Sequence, residues 1–432
     1  LITPQDRQRL RPVHLVCALL VLGAIAAAGP TWEQDRPDFL ENRAPLIIAI
    51  DLSPSMDASD VPPSRLEAVK HKLHDLVERR AGSRNALIAY AGSAHLVTKY
   101  SPTGTKARGT LNNCGTGRTP WGTFISGEEN WFGYFFRDAQ DDQRRNNPKM
   151  VAAFNRYGRR AGAPSRHGWE SGGASDTYTR WNNSAVGASA KDDFRNEMNT
   201  FGYIVELDPY DKSTALRKRT ALGRMGHENA TFARVSAGQP VVAYMGDDAC
   251  GEYIYKFVSA AKWDPADAQP ANRLAAGDKY LDKGTLYVAR FRGDGTGEWL
   301  ELSMNNPVIA GSSYFEFKSD ADVAIFTRLA ADAVGATKMD RPEWNGVHPR
   351  TGEVYFTLTN NSARTAATAD AANPRVYTDM KGSKEQKGNV HGHIVRLADA
   401  SPAGTSFKWD IYVFGAEAGA DKSSVNLSNL TD

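Results

Sequence analysis

The sequence predicts a mainly β protein, built of antiparallel blades or a sandwich, behind an apolar N-terminal helix and a short βαβ segment. Three observations carry this. Runs rich in Val, Ile, Tyr, Phe and Trp recur through the second half, separated by Gly, Asp and Asn. Gly is abundant, with 38 copies, and aromatic residues make up 10% of the chain, as many short strands joined by tight turns require. Regular intervening helices, the mark of a parallel sheet, are missing from the pattern, and 321–334 is the one persuasive helix of that half.

From the N-terminus, Arg7, Arg9 and Arg11 precede the apolar run Val13–Ala28. It is marginal for a bilayer span and slightly long for a signal-peptide core, so residues 1–30 read as a membrane anchor (through 13–29) or a signal segment; Ala26, Ala27 and Ala28 supply small residues for cleavage. Either reading exports the rest of the chain, to the periplasm or its membrane face.

Pro45-Leu-Ile-Ile-Ala-Ile50 is the continuous apolar run of a buried parallel strand. Leu66, Val69, Leu73, Leu76 and Val77 are spaced for a helix, and Asn85-Ala-Leu-Ile-Ala-Tyr90 reads as the second strand. Between them Asp51, Ser53 and Ser55 gather a carboxylate and two hydroxyls where a strand ends, oxygen donors suited to Mg²⁺. On these residues, 1–98 resembles the start of the membrane-anchored von Willebrand factor A proteins of bacterial aerotolerance operons. The resemblance implies that Asp51, Ser53 and Ser55 are the first part of a metal-ion-dependent adhesion site, whose completing Thr and Asp, from later loops, are not matched. One helix and two strands cannot cover both faces of a sheet, so the piece 31–98 is expected to be truncated and a weak metal binder.

The sequence changes character near residue 98, and a fused or truncated reading frame is expected there. Residues 138–159, rich in Asp, Asn and Arg, read as exposed helix and loop, and 161–189 as a long surface excursion. Strands come next at 203–207, 241–245, 253–258, 285–291, 298–302, 353–358, 393–397 and 408–413.

The chemistry gathers in 111–130, where Cys114 precedes the adjacent carboxylates Glu128 and Glu129. A single thiolate beside hard oxygen ligands suits an iron or mixed-metal centre better than structural zinc. Later come Gly226-His227-Glu228-Asn229, Met245-Gly-Asp247-Asp248, Lys338-Met-Asp340-Arg341-Pro342-Glu343-Trp344 and Leu358-Thr-Asn360-Asn361-Ser362. In order and wording these motifs resemble the PhoX family of secreted bacterial alkaline phosphatases, over 99–432. The resemblance implies a β-propeller, incomplete here, that hydrolyses phosphate monoesters at an iron and calcium cluster. It implies metal ligation by Cys114, Glu129, Glu228 and Glu343, and contact with substrate phosphate through Arg341. It also implies further carboxylates from strands this chain lacks, so little activity is expected.

Independently of family, Arg341-Pro-Glu343 places a guanidinium beside a carboxylate on one side of an extended segment, able to clamp phosphate bidentately. Asn130 either adds a carbonyl ligand or positions Glu129, or else is a turn residue; Asp247 and Asp248 either chelate calcium or shape a turn. His227 is expected behind the ligands, and Asn360 and Asn361 in a turn. Cys17, Cys114 and Cys250 have no C-x-x-C spacing, which excludes a zinc finger and leaves a Cys114–Cys250 bridge open. A net charge of +2 predicts no nucleic-acid partner. The competing reading is a membrane-anchored Mg²⁺-binding interaction module without enzymatic activity.

Overall fold

The computed structural model describes residues 107–188, 190 and 192–416, together with 13, 16, 17, 19, 20, 46–51, 64–78 and 85–90. Ser53, Ser55 and the expected boundary near 98 lie outside the described residues, as does the Asp51 side chain. The chain divides into two compact units, Leu1–Ile50 with Met56–Ile88, and Asp51–Ser55 with Ala89–Asp432.

In the first unit β1 (Leu46–Asp51) and β2 (Asn85–Tyr90) form a two-stranded sheet. The helix Arg65–Glu78 between them starts at Ser64, whose Oγ accepts Glu67 N at 3.2 Å, a capping bond for an otherwise free amide. No residue of this helix is buried. Of the apolar segment, Val13, Val16, Cys17, Leu19 and Leu20 are described, helical and exposed. Among the described residues no helix is long and apolar enough to cross a membrane.

The second unit holds β3 (Asn113–Arg118), β4 (Phe124–Glu128), β5 (Ile204–Leu207) and β6 (Arg217–Arg219), which form an antiparallel four-stranded sheet in that order. A larger antiparallel sheet has nine strands. They are β7 (His227–Phe232), β8 (Pro240–Asp247), β10 (Ile254–Lys262), β11 (Gly284–Phe291), β12 (Thr296–Leu302), β14 (Pro342–Val347), β15 (Val354–Leu358), β18 (His393–Asp399) and β19 (Ser406–Phe414). Their order is β14-β15-β18-β19-β12-β11-β10-β8-β7. Two short pairs complete the count, β9 (Cys250–Glu252) with β13 (Met339–Asp340), and β16 (Tyr377–Lys381) with β17 (Lys384–Gly388). Every strand expected from 203 to 413 is present, with antiparallel partners throughout.

The nine-stranded sheet curls until its end strands meet. There, side chains replace the ladder: Asn345 Nδ2 and N donate to Asn229 Oδ1 at 2.7 and 3.2 Å, and Asn229 Nδ2 donates to Asn345 O at 3.1 Å. Alternate residues of β8 face two cores. Val242 and Tyr244 join Trp299, Phe356, Val395, Leu397, Phe407 and Trp409, which line the inside of the curl. Val241, Ala243 and Met245 join Ile125, Phe257, Val323 and Leu329 outside it. Burial on both faces is why 241–245 is apolar without alternation.

Three expectations are corrected. The helix of 321–334 is two, Asp320–Ile325 and Thr327–Ala333, broken at Phe326 (φ −108°, ψ 42°). It has company: Arg273–Leu281 is helical, capped by Asn272, whose side chain accepts Ala275 N at 3.0 Å. The polar stretches 138–159 and 161–189 are not simply surface. Arg137 and Asp141 pair in the interior at 2.6 Å, and Phe154, Tyr157 and Trp181 pack with Trp131 and Phe201 in a third core. Paired charges and aromatic anchors let a polar-looking segment bury.

Candidate metal centre and phosphate-binding residues

Glycine brings the site together. A Cβ on Gly115 of β3 would lie 2.3 Å from Glu228 O, and one on Gly127 of β4 would lie 2.3 Å from His227 O, so only glycine lets these strands rest on the backbone of β7. Gly246 does the same between β8 and β14, where a Cβ would stand 2.3 Å from Pro342 O. Five strands, β3, β4, β7, β8 and β14, therefore converge. Cys114 Sγ reaches Glu228 Oε1 at 3.2 Å, and one donor atom from each of Cys114, Glu129 and Glu228 lies within 4.8 Å of the others.

Arg341 closes one side. Its φ of +59° puts a non-glycine residue in the left-handed region immediately before Pro342, where sterics favour extended backbone. The expected extended geometry of 341–343 is thus corrected: Arg341 turns. Its Nε and Nη2 donate to Asp248 Oδ1 and Oδ2 at 2.9 and 2.8 Å, and Nη2 stands 2.7 Å from Glu343 Oε1. Strain of this kind persists only where surrounding bonds hold it, here the fork onto Asp248.

The acidic groups disturb one another. Burial first, then Asp248 and Glu228, pushes the Glu129 carboxyl up to about 8. Burial and the carboxylates of Glu129 and Glu228 push the Cys114 thiol well up, and burial raises Glu228. Crowded acids of this sort favour a cation among them, which would draw the protons off. Thiolate and carboxylate together fit iron, and the carboxylates alone fit calcium. Asn130 Nδ2 donates to Glu129 Oε1, so the amide orients that carboxylate.

Neighbours in sequence separate in role. Glu128 is fully buried and turned away, accepting from Leu111 N (3.0 Å), Gly202 N (2.9 Å), Tyr203 N (3.1 Å) and Lys218 Nζ (2.8 Å). Asp247 is held by Arg328, while Asp248 faces Arg341 and Glu129. His227 is buried with Nε2 3.0 Å from Gly223 O, and burial lowers it to about 4. Asn361 donates to buried Asp340 at 2.7 Å, which Arg364 and Asn389 also hold. Cys114 and Cys250 are both free, so the open possibility of a bridge is not realised. Sequence alone could not rank Asp248 above Asp247, because β8 is buried on both faces and its residues carry no polar alternation.

Comparisons with known proteins bear on this geometry. The family model described as "Alkaline phosphatase PhoX" matches residues 65–432. Among solved structures, "Pseudomonas fluorescens PhoX in complex with vanadate, a transition state analogue" superposes with a TM-score of 0.57 at 37% identity, covering 74% of this chain and 51% of that one. Shorter matches include the "UPF0353 protein" of Nocardia farcinica (strain IFM 10152), 40% identical over 96 residues, covering 22% of this chain and 27% of that protein. That of Mycobacterium sp. (strain KMS) is 42% identical over 99 residues, covering 23% and 28%. The chain spans about half of the solved PhoX and under a third of these curated relatives.

Proposed function

Because this chain belongs to the alkaline phosphatase PhoX family, we propose that it hydrolyses phosphate monoesters at a metal centre held by Cys114, Glu129, Glu228 and Glu343, with Asp248 beside them. The observation that carries the reading is the meeting of Cys114, Glu129 and Glu228 beside an arginine held bidentately by Asp248. The solved PhoX relative binds vanadate, an analogue of a phosphoryl group in transfer, which supports phosphate as the group recognised here.

Iron at the thiolate side and calcium at the carboxylates, when bound, would neutralise phosphoryl charge and activate water. The remaining work belongs to the chain. Arg341 has Nε and Nη2 held in place by Asp248 and Glu343, and Nη1, which takes no part in those bonds, is left to meet a phosphate oxygen. Asn130 keeps the Glu129 carboxylate aimed inward. Buried Glu128 and His227 hold the strands beneath.

On this reading the PhoX-like region is part of a larger propeller, and 31–98 is a truncated von Willebrand factor A-like piece that binds Mg²⁺ weakly through Asp51, Ser53 and Ser55. The arginine-flanked segment 13–29 supports export to the periplasm or its membrane face, which cell fractionation checks. The decisive assay is hydrolysis of p-nitrophenyl phosphate at alkaline pH with calcium and iron supplied. Slow hydrolysis by the wild-type chain, lost in Cys114→Ala and Arg341→Ala, is expected; turnover untouched by both would refute the assignment.

A further inference from the structure

Asp247 and Asp248 are adjacent yet serve different ends, and one buried guanidinium accounts for it. Arg328, in the helix Thr327–Ala333, donates from Nε to Asp247 Oδ2 at 2.7 Å and from Nη2 to Oδ1 at 2.5 Å. Oδ1 also accepts Gly226 N at 2.9 Å, and Gly226 O accepts Asp248 N at 2.9 Å. Both peptide groups of a glycine two residues ahead of Glu228 are thus gripped by the Asp247–Asp248 pair. A Cβ on Gly226 would stand 3.1 Å from Asp247 Oδ1, 3.2 Å from Glu129 O and 3.4 Å from Arg328 Nη2. Gly226 is wedged among the segments that carry Glu129, Glu228 and Asp248, with Arg328 against it.

We infer that Arg328 is a positioning residue for the metal centre: by fixing Asp247 it sets the spacing of Glu129, Glu228 and Asp248, and so the cation affinity, while touching neither cation nor substrate. The inference rests on the metal-centre reading above. Cation sites lose affinity when donors drift by fractions of an ångström, and groups behind the ligands hold them. A guanidinium fork fixes a carboxylate in two directions, whereas an ammonium fixes it in one. Glu252 supplies the control. Its Oε2 lies 3.4 Å from Arg328 Nε and it accepts from Arg156 at 2.5 and 2.9 Å, so it shares the buried charge cluster without bonding Asp247 or Gly226.

The test is Ca²⁺ titration calorimetry on the full 432-residue chain, at a temperature where each variant keeps the wild-type circular dichroism spectrum. Arg328→Lys and Arg328→Met are expected to weaken Ca²⁺ binding roughly 10- to 100-fold, the lysine variant less. Glu252→Gln should lower the melting temperature yet leave affinity within about twofold, and Glu129→Gln should abolish binding. Should Arg328→Met not fold, Arg328→Lys decides. Wild-type affinity in Arg328→Lys, or an equal loss in Glu252→Gln, overturns the inference and leaves the metal centre standing. A wild-type chain that binds no Ca²⁺, or a Glu129→Gln chain that binds like wild type, removes the metal-centre reading and the inference with it.

Discussion

Arg341 shows how much a single residue carries at this site. Its left-handed backbone before a proline is an arrangement sterics disfavour, and what it gains is a guanidinium locked to Asp248 and Glu343 with one amine still to offer. Arg341→Lys keeps the charge and loses the fork, so it is expected to reduce p-nitrophenyl phosphate turnover and vanadate inhibition almost as far as Arg341→Ala, by about 100-fold. An Arg341→Lys enzyme inhibited by vanadate like wild type would contradict the clamp. Glu128 is the opposite case, a carboxylate beside the site that works for stability. Lys218 is its partly buried partner, its side chain 12% exposed, and also donates to Thr200 O at 2.7 Å. Removing one member strands the other, so Lys218→Met should cost about 3–5 kcal/mol in denaturant unfolding. The double variant with Glu128→Gln should recover part of the loss, because no lone charge is then left inside.

At the scale of elements, the crossing of β3 and β4 over β7 depends on the absence of side chains. Gly115→Ala would drive a methyl to 2.3 Å from Glu228 O, so a strand must move. The expected outcome is a loss of about 2 kcal/mol or more in stability, together with loss of metal, as Glu228 withdraws from Cys114. Gly346→Ala on β14, where a methyl would meet nothing within 4 Å, is the contrasting substitution and should be tolerated. Equal behaviour of the two by thermal melt and metal analysis would show that close approach does not govern the site. Two of these strands, β3 and β7, are also ones the sequence hid, whereas β4 showed as a short β-like run at 123–126. Asn113-Cys-Gly-Thr-Gly-Arg118 has no strand propensity and reads as a turn; it is extended because β4 pairs with it. β8 and β10, with β-branched and aromatic runs, were legible because their own side chains demand burial.

For the molecule as a whole, the curled sheet depends on buried polar groups kept in one protonation state. His393, at the start of β18, is buried, with Nε2 2.7 Å from Ala372 O and Nδ1 3.0 Å from Asn389 Nδ2, a set that suits the neutral ring. Burial pushes it down to about 4 from the ordinary 6.5. The folded value lies below the unfolded one, so the unfolded chain takes up a proton that the folded chain refuses. The contribution is fully present above 6.5 and is lost as pH falls toward 4. Acidification across that window should therefore cost on the order of 3 kcal/mol from this residue. Urea unfolding at a series of pH values checks it, and His393→Asn should flatten the slope; an unchanged slope would place the acid sensitivity elsewhere.

What the sequence determined by itself was the class of the fold, most strand positions and the chemical alphabet of the site. Apolar runs, Gly/Asp/Asn turns and the residues Cys114, Glu129, Glu228, Arg341 and Glu343 are local features that survive without coordinates. What only the tertiary structure decided was which side chains meet: Asp248 and not Asp247 faces Arg341 and Glu129, and Glu128, the neighbour of Glu129, turns away to backbone amides. It decided too that the end strands of the large sheet meet through Asn229 and Asn345, and that Arg341 turns instead of extending. The physical reason is common to all of these. Adjacent side chains on a strand point to opposite faces, and which face meets another segment depends on glycine contacts between strands more than a hundred residues apart in some cases, as between Gly115 and Glu228.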